Sequence, residues 1–417
     1  MNKSHNVFSN LLAIIGPGLF LIGYNIGTGS VTTMASAGSR WGLSLTWVIV
    51  LSCIFTFICI WAFSKYTLTT GHTILYAIKT TFPFGKQIGF FIMCSIIVAE
   101  FAGITGLTVI AVDLLKEWIS QLITINGSIL TIVITFLLVS SLFIILWRGR
   151  YQTLEKILSI LVMVMGISFL LTVFLVKPSI KAITNGMIPR IPDEPDSALI
   201  IAGIAGTTLS SAMLFCRSIS LKAKGWNNSN NKRAFIDTVV SSGMMFLLSF
   251  AVMICAAGTL FVIGKPVENA IDMARTLEPL AGNLARIVFI IGLLGAGISS
   301  MIPTILIAPW IISDYSNTAI DPESNTSRIF VITGLVIASV SPFINEKPVF
   351  LMILTMALLA VILPLSTISI TVLLNNKHMG EHRNSLIMNI ACGGAVVFSC
   401  IMSYFGVIGL MEYFITK

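Results

Sequence analysis

Apolar residues in this chain gather into long runs separated by short polar connections. Eleven such runs lie near 11–36, 42–63, 86–111, 126–146, 156–176, 197–219, 236–263, 284–312, 328–345, 348–375 and 386–410. Each is close to the roughly 20 residues that a helix needs to cross a bilayer. In lipid a single segment satisfies its own backbone only as a helix, so the pattern predicts eleven transmembrane helices. Two runs are irregular at their middles. The first reads "LIGYNIGTGSVTTMASAG" over 21–38, with Asn25 and then Gly27-Thr28-Gly29-Ser30 between apolar ends. The sixth reads "SALIIAGIAGTTLSSAMLFCRS" over 197–218, with Gly206-Thr207-Thr208 and Ser210-Ser211 at its centre. Glycines this close together weaken a helix interior. Both runs are therefore expected to be interrupted.

The composition agrees with this reading. Of 417 residues, 56% are hydrophobic and 10% are charged, and the mean hydropathy is +0.96. Soluble domains carry about 25% charged residues. The net charge of +8 does not point to nucleic acid, because the basic residues sort to alternate connections. With the N-terminus placed in the cytoplasm, the inner connections hold 15 basic residues against 6 acids, and the outer ones 10 against 10. This is the asymmetry of the positive-inside rule, and it puts the C-terminus outside. Arg217 falls in the most basic inner connection, 217–233. The seven cysteines all lie in apolar runs and read as small buried side chains. No histidine lies within a run, and no nucleophile–base or metal-ligand cluster is evident, so an enzyme is not expected.

The two irregular runs occupy matching positions, each opening a series of five. A first repeat over 11–176, a second over 197–375 and an extra helix over 386–410 make a single membrane transport domain. Interrupted spans at corresponding positions of two halves are the sequence pointer to a carrier's binding site. The same composition taken alone would fit close helix packing.

Within this framework, "IGPGLFLIGYNIGTGSVTTMASAGSRWGLSLTWV" (15–48) resembles the first two spans of the Nramp family of divalent-metal transporters. The likeness continues through "AEFAG" (99–103), "KRAFIDTVVSS" (232–242), "GLLGAGISSM" (292–301) and "KHMGEHRNSLIMN" (377–389). It implies an all-α, LeuT-type fold with a 5+5 inverted repeat, eleven transmembrane helices and alternating access. The family's metal ligands do not carry over. The Asp of its first break falls on Gly27, its Pro on Thr28, its Gly on Gly29 and its Asn on Ser30. The Met-Pro-His of its sixth span falls on Ser210, Ser211 and Ala212.

The two breaks thus offer neutral donors only. Manganese and iron favour carboxylate, imidazole or thioether ligands. Met213 and Cys216 stand near the second break but read as core packing. A half-helix start with free N–H groups suits a carboxylate. The expected cargo is therefore a small organic solute such as an amino acid or carboxylate. It would be held by Asn25, Gly27, Thr28, Gly29, Ser30, Gly206, Thr207, Thr208, Ser210 and Ser211, with no cofactor and no bound metal. The alternative is a divalent-cation carrier (Mn, Fe or Mg) with a rebuilt site. A channel is the remaining rival. Glu100 is read as the one acid deep within a span and hence the coupling residue, with Arg328 as a candidate partner. The resemblance implies protons as the coupling ion, while hydroxyls and carbonyls at the breaks form an alternative set for Na⁺. The setting is the cytoplasmic membrane, with the bilayer and a small-molecule or ion substrate as partners.

Overall fold

The computed structural model describes residues 16–120, 126–148, 151–176, 178–194, 196–267, 272, 278–344 and 348–416. Among these residues the chain is helical with no strand. The first irregular run forms two half-helices, α1 (Gly16–Asn25) and α2 (Thr28–Trp41). Next come α3 (Thr46–Thr70), the short α4 (Ile74–Thr81), α5 (Gly85–Ser120), α6 (Gly127–Arg148), α7 (Tyr151–Val176) and the short α8 (Ile180–Gly186). The sixth run divides into α9 (Ser197–Thr208) and α10 (Ser211–Ala223). It is followed by α11 (Asn231–Gly258), α12 (Glu278–Ser316), α13 (Asn325–Val340), α14 (Pro348–Leu374) and α15 (Leu386–Thr416). The order repeats: a divided helix followed by four long ones, twice, with α15 left over. Residues 11–15 of the expected first span and the N-terminal segment lie outside the described residues.

Nine stretches among the described residues are long and apolar enough to cross a membrane. The α1–α2 pair, in pieces of 10 and 14 residues, is not among them, and neither is α7. Burial grades from centre to rim. The apolar stretch of α9–α10 is wholly buried, whereas that of α15 is only 28% buried. Phe136, Ile144 and Ile401 project outward from the rim helices, as a lipid-facing surface requires. The divided helices therefore sit at the core of the bundle, with α9 against α14 and α15, and α2 against α11 and α14.

Both breaks form, at slightly different residues from those expected. The first comprises Ile26 and Gly27, so Thr28-Gly29-Ser30 is the first turn of α2 and not unwound chain. The second is Leu209-Ser210, with Thr208 closing α9 and Ser211 opening α10. In neither half-helix that follows does the N-cap side chain accept a hydrogen bond from the helix start.

Arg217 departs furthest from its expected place. It is not in a connection but inside α10, with no exposed surface. Its Nη1 pairs with Asp237 of α11, equally buried. Its Nε donates to Ser64 Oγ at 2.8 Å, and its Nη2 to the Ala234 carbonyl at 3.2 Å. The other Asp237 oxygen accepts the Gly18 N–H at 2.9 Å, which ties the start of α1 to the same cluster. Glu100 is accordingly not the one acid deep in the bundle, since Asp237 and Asp314 are buried as well. Neither is Arg328 its partner. The Arg328 guanidinium lies 5.1 Å from the centre of the Trp147 ring.

Candidate functional site

A cavity of about 30 Å³ lies between the two breaks. On the scale where one water needs about 10–15 Å³, it holds two or so waters. Of the residues expected to form the site, Asn25, Gly27, Gly29, Ser30, Thr207 and Ser210 line it. Glu100 lines it as well. Thr28, Gly206, Thr208 and Ser211 are not among the lining residues. The Thr208 hydroxyl bonds back to the Ile204 carbonyl, and Ser211 accepts from Ser366 at 3.1 Å. Gly206 is a close-approach position, where a Cβ would stand 1.9 Å from the Met356 carbonyl oxygen. The Thr28 hydroxyl is buried with no protein partner.

The breaks are joined to each other. Asn25 at the end of α1 donates through Nδ2 to the Thr208 carbonyl at the end of α9, at 2.7 Å. That carbonyl also accepts from Thr56 of α3 at 3.0 Å. One side chain thus satisfies a backbone group that the interruption of α9 leaves open, which is how irregular backbone persists at membrane depth.

The pocket also holds an ionisable acid and two sulfur atoms. Glu100 reaches it from α5 and is held by the Tyr24 hydroxyl, which donates to Oε1 at 2.6 Å. Met352 and Met356 reach it from α14, four residues apart and so on one helix face. Ser300 and Thr304 reach it from α12. The expectation of a site without anionic or sulfur donors is therefore corrected. The breaks lack such donors, but the helices packed across them supply one carboxylate and two thioethers. Among the described residues no three His, Cys, Asp or Glu side chains converge as they would at a structural metal centre.

The glycines explain how these groups fit. A Cβ on Gly27 would lie 1.9 Å from Ser300 Oγ, so the volume that a side chain would take there is filled from α12. A Cβ on Gly29 would lie 2.7 Å from the Met352 methyl and 2.9 Å from that of Met356. Gly27 in the break and Gly29 in the first turn of α2 lack side chains where α12 and α14 insert theirs. Met213 and Cys216 are fully buried and do not line the cavity.

The model of the family described as natural resistance-associated macrophage protein-like matches residues 18–409. The divalent metal cation transporter MntH of Deinococcus radiodurans is 26% identical over 304 residues, which are 70% of this chain and 66% of that protein. The chain thus spans just under two thirds of that relative. MntH of Listeria innocua is 26% identical over 422 residues, covering 97% of this chain and 91% of its own length. In three dimensions, a mutant of the manganese transporter of Eremococcus coleocola matches with a TM-score of 0.75 at 17% identity, over 98% of this chain and 88% of that one. At that identity the likeness bears on the fold alone.

Proposed function

Since the chain belongs to the Nramp family, we propose that it is a secondary membrane carrier of a divalent metal cation, with the cavity between the two breaks as its cargo site. The observation that carries this reading is the meeting of the Glu100 carboxylate with the Met352 and Met356 thioethers in one small pocket. Carboxylate and thioether are donor types that transition-metal ions accept. The names of the relatives support the same cargo class, and the alternative kept open by the sequence becomes the preferred one.

An organic cargo is less well served. Among the described residues no lysine, arginine or histidine lines the cavity to meet a carboxylate. The N-terminal ends of α2 and α10, which attract anions, face the break together with the C-terminal ends of α1 and α9, which repel them. Thr207, Ser210, Ser30 and the Asn25 amide are offered as neutral oxygen ligands that complete the shell around the ion.

Glu100 was the acid that proton coupling would use. As a cargo ligand it is the single carboxylate in the pocket, and that role competes with carrying a coupling proton. The chain is placed in the cytoplasmic membrane with its N-terminus inside and C-terminus outside, on the charge asymmetry of its connections. Equilibrium binding of Mn²⁺ to the purified chain tests the cargo assignment. Saturable Mn²⁺ binding that Glu100→Gln removes, with no binding of glycine, alanine or succinate, is the expected result. Binding of one of those organic solutes with none of Mn²⁺ would overturn it.

A further inference from the structure

The end of α3 and the segments that lead into α11 and α15 meet at one rim of the bundle. Lys65 Nζ donates to Asn384 Oδ1 at 3.1 Å and to the Arg383 carbonyl at 3.4 Å, which pins the turn before α15 to α3. Asn228 Nδ2 lies 3.2 Å from His382 Nε2, so the loop before α11 joins the same turn. Lys65, residues 224–233 and residues 377–383 together carry six lysines and arginines against one acid, Glu381. Lys232, Arg233, Lys377 and Arg383 are all exposed.

Below this rim α3 shows an outward face between two neighbouring helices. Phe55 stacks on Phe398 of α15, with ring centres 4.9 Å apart. Phe57 and Trp61 meet Phe235 of α11 edge-on, at 6.0 and 5.1 Å. Between those contacts Ile54, Ile58, Trp61 and Lys65 recur at three- and four-residue spacing, on one face of the helix. Ile54 is exposed and the other three are half-buried. Phe235 and Val239 of α11 are exposed on one side, and Leu386 and Ile390 of α15 on the other. An apolar groove therefore runs along α3, and cations stand at its end. Lys232 comes one turn before Phe235, and Arg383 three residues before Leu386.

We infer that this groove binds an anionic phospholipid, with its phosphate at Lys65, Lys232, His382 and Arg383 and an acyl chain along Ile54, Ile58 and Trp61. Two features select this occupant. The groove lies on the outward surface of helices that cross the bilayer, where an acyl chain covers apolar side chains as well as another helix does. Its end is cationic, and each basic residue beside a membrane span favours an anionic headgroup over a neutral one by about fivefold. Lys65 gives two of its three protons to Asn384 and the Arg383 carbonyl, which leaves the third for a phosphate oxygen. Free phosphate would meet the cations and leave the groove bare. A lipid held here ties the turn between α14 and α15 to α3 and α11. The site stands on its own residues, whatever the cargo is.

The test uses the purified full-length chain in detergent, without cargo, and native mass spectrometry after addition of phosphatidylglycerol or phosphatidylcholine with identical acyl chains. The wild type is expected to hold phosphatidylglycerol at least about twentyfold more tightly than phosphatidylcholine, and inorganic phosphate is expected not to displace it. Lys232→Gln combined with Arg383→Gln removes two of the cations and is expected to lower that preference at least about tenfold. Lys86→Gln, at an exposed lysine in the first turn of α5, removes a cation away from the groove and is expected to match the wild type. Circular dichroism and gel filtration confirm that each variant is folded. Equal affinity of the wild type for the two lipids overturns the proposal, as does displacement of the lipid by inorganic phosphate. A lipid-free dimer, or an undiminished preference in the folded double variant, overturns it too.

Discussion

Replacing Arg217 by methionine isolates the buried ion pair that joins α10 to α11. The guanidinium meets Asp237, Ser64, Thr238 and the Ala234 carbonyl, and neither it nor Asp237 has any exposed surface. Without it Asp237 keeps one partner, the Gly18 N–H at 2.9 Å, and carries an uncompensated charge inside the bundle. Breaking a buried pair from one side costs about 3–5 kcal/mol, and Asp237→Asn, which strands the guanidinium, falls in the same range. Removing both charges together leaves only neutral hydrogen bonds to lose, at about 1 kcal/mol each. The double variant Arg217→Met/Asp237→Asn is therefore expected to be more stable than either single variant, with a coupling of about 2 kcal/mol or more between the two positions. Melting midpoints of the purified proteins measure this. Each single substitution is expected to lower the midpoint by about 3–6 °C, and the double to recover part of that loss. A double variant whose loss equals the sum of the singles would refute the ion-pair argument and leave Arg217 as a packing residue.

Other substitutions separate packing from chemistry. Gly206→Ala places a Cβ 1.9 Å from the Met356 carbonyl oxygen and is expected to abolish folded protein on gel filtration, because backbone has to move. Gly243→Ala in α11 meets nothing within 4 Å and is expected to raise the melting midpoint, in keeping with a gain of about 0.5–1 kcal/mol. Glu100→Gln keeps an acceptor for the Tyr24 hydroxyl but removes the charge, so Mn²⁺ uptake into proteoliposomes is expected to fall at least about tenfold with little change in stability. Met352→Leu and Met356→Leu nearly conserve volume and are expected to cost under about 1.5 kcal/mol in stability. Their uptake of Mn²⁺ is expected to drop further than their melting midpoints explain.

The fold was legible because hydropathy and glycine placement act locally. Runs of apolar residues announce helices in lipid, and the clusters at Gly27–Ser30 and Gly206–Ser211 mark weak backbone without any tertiary information. The cargo site was legible only on its broken-helix side. Met352 and Met356 are two apolar residues in an apolar run, and nothing in "LMILTMALL" distinguishes a lining methionine from a core one. Ser300 looks like one of the small residues that any pair of close helices uses. Its place at the cavity depends on the rotation of α12 about its axis, which a uniformly apolar helix does not encode. Arg217 begins a basic stretch and so reads as the first residue of a loop, whereas Asp237, twenty positions later, holds it in the bundle. The signal that was available was Gly27 and Gly29 themselves. Two glycines at alternate positions, one in the break and one in the turn after it, make room for groups from elsewhere, and the structure identifies them as Ser300 and the two methionines.

Tracer uptake into proteoliposomes, with Mn²⁺ set against a panel of amino acids and dicarboxylates, tests the central claim most directly. The account predicts Mn²⁺ accumulation above protein-free vesicles that disappears in Glu100→Gln, with no uptake of the organic panel. Accumulation of an organic solute, with Mn²⁺ at the level of empty vesicles, would contradict it.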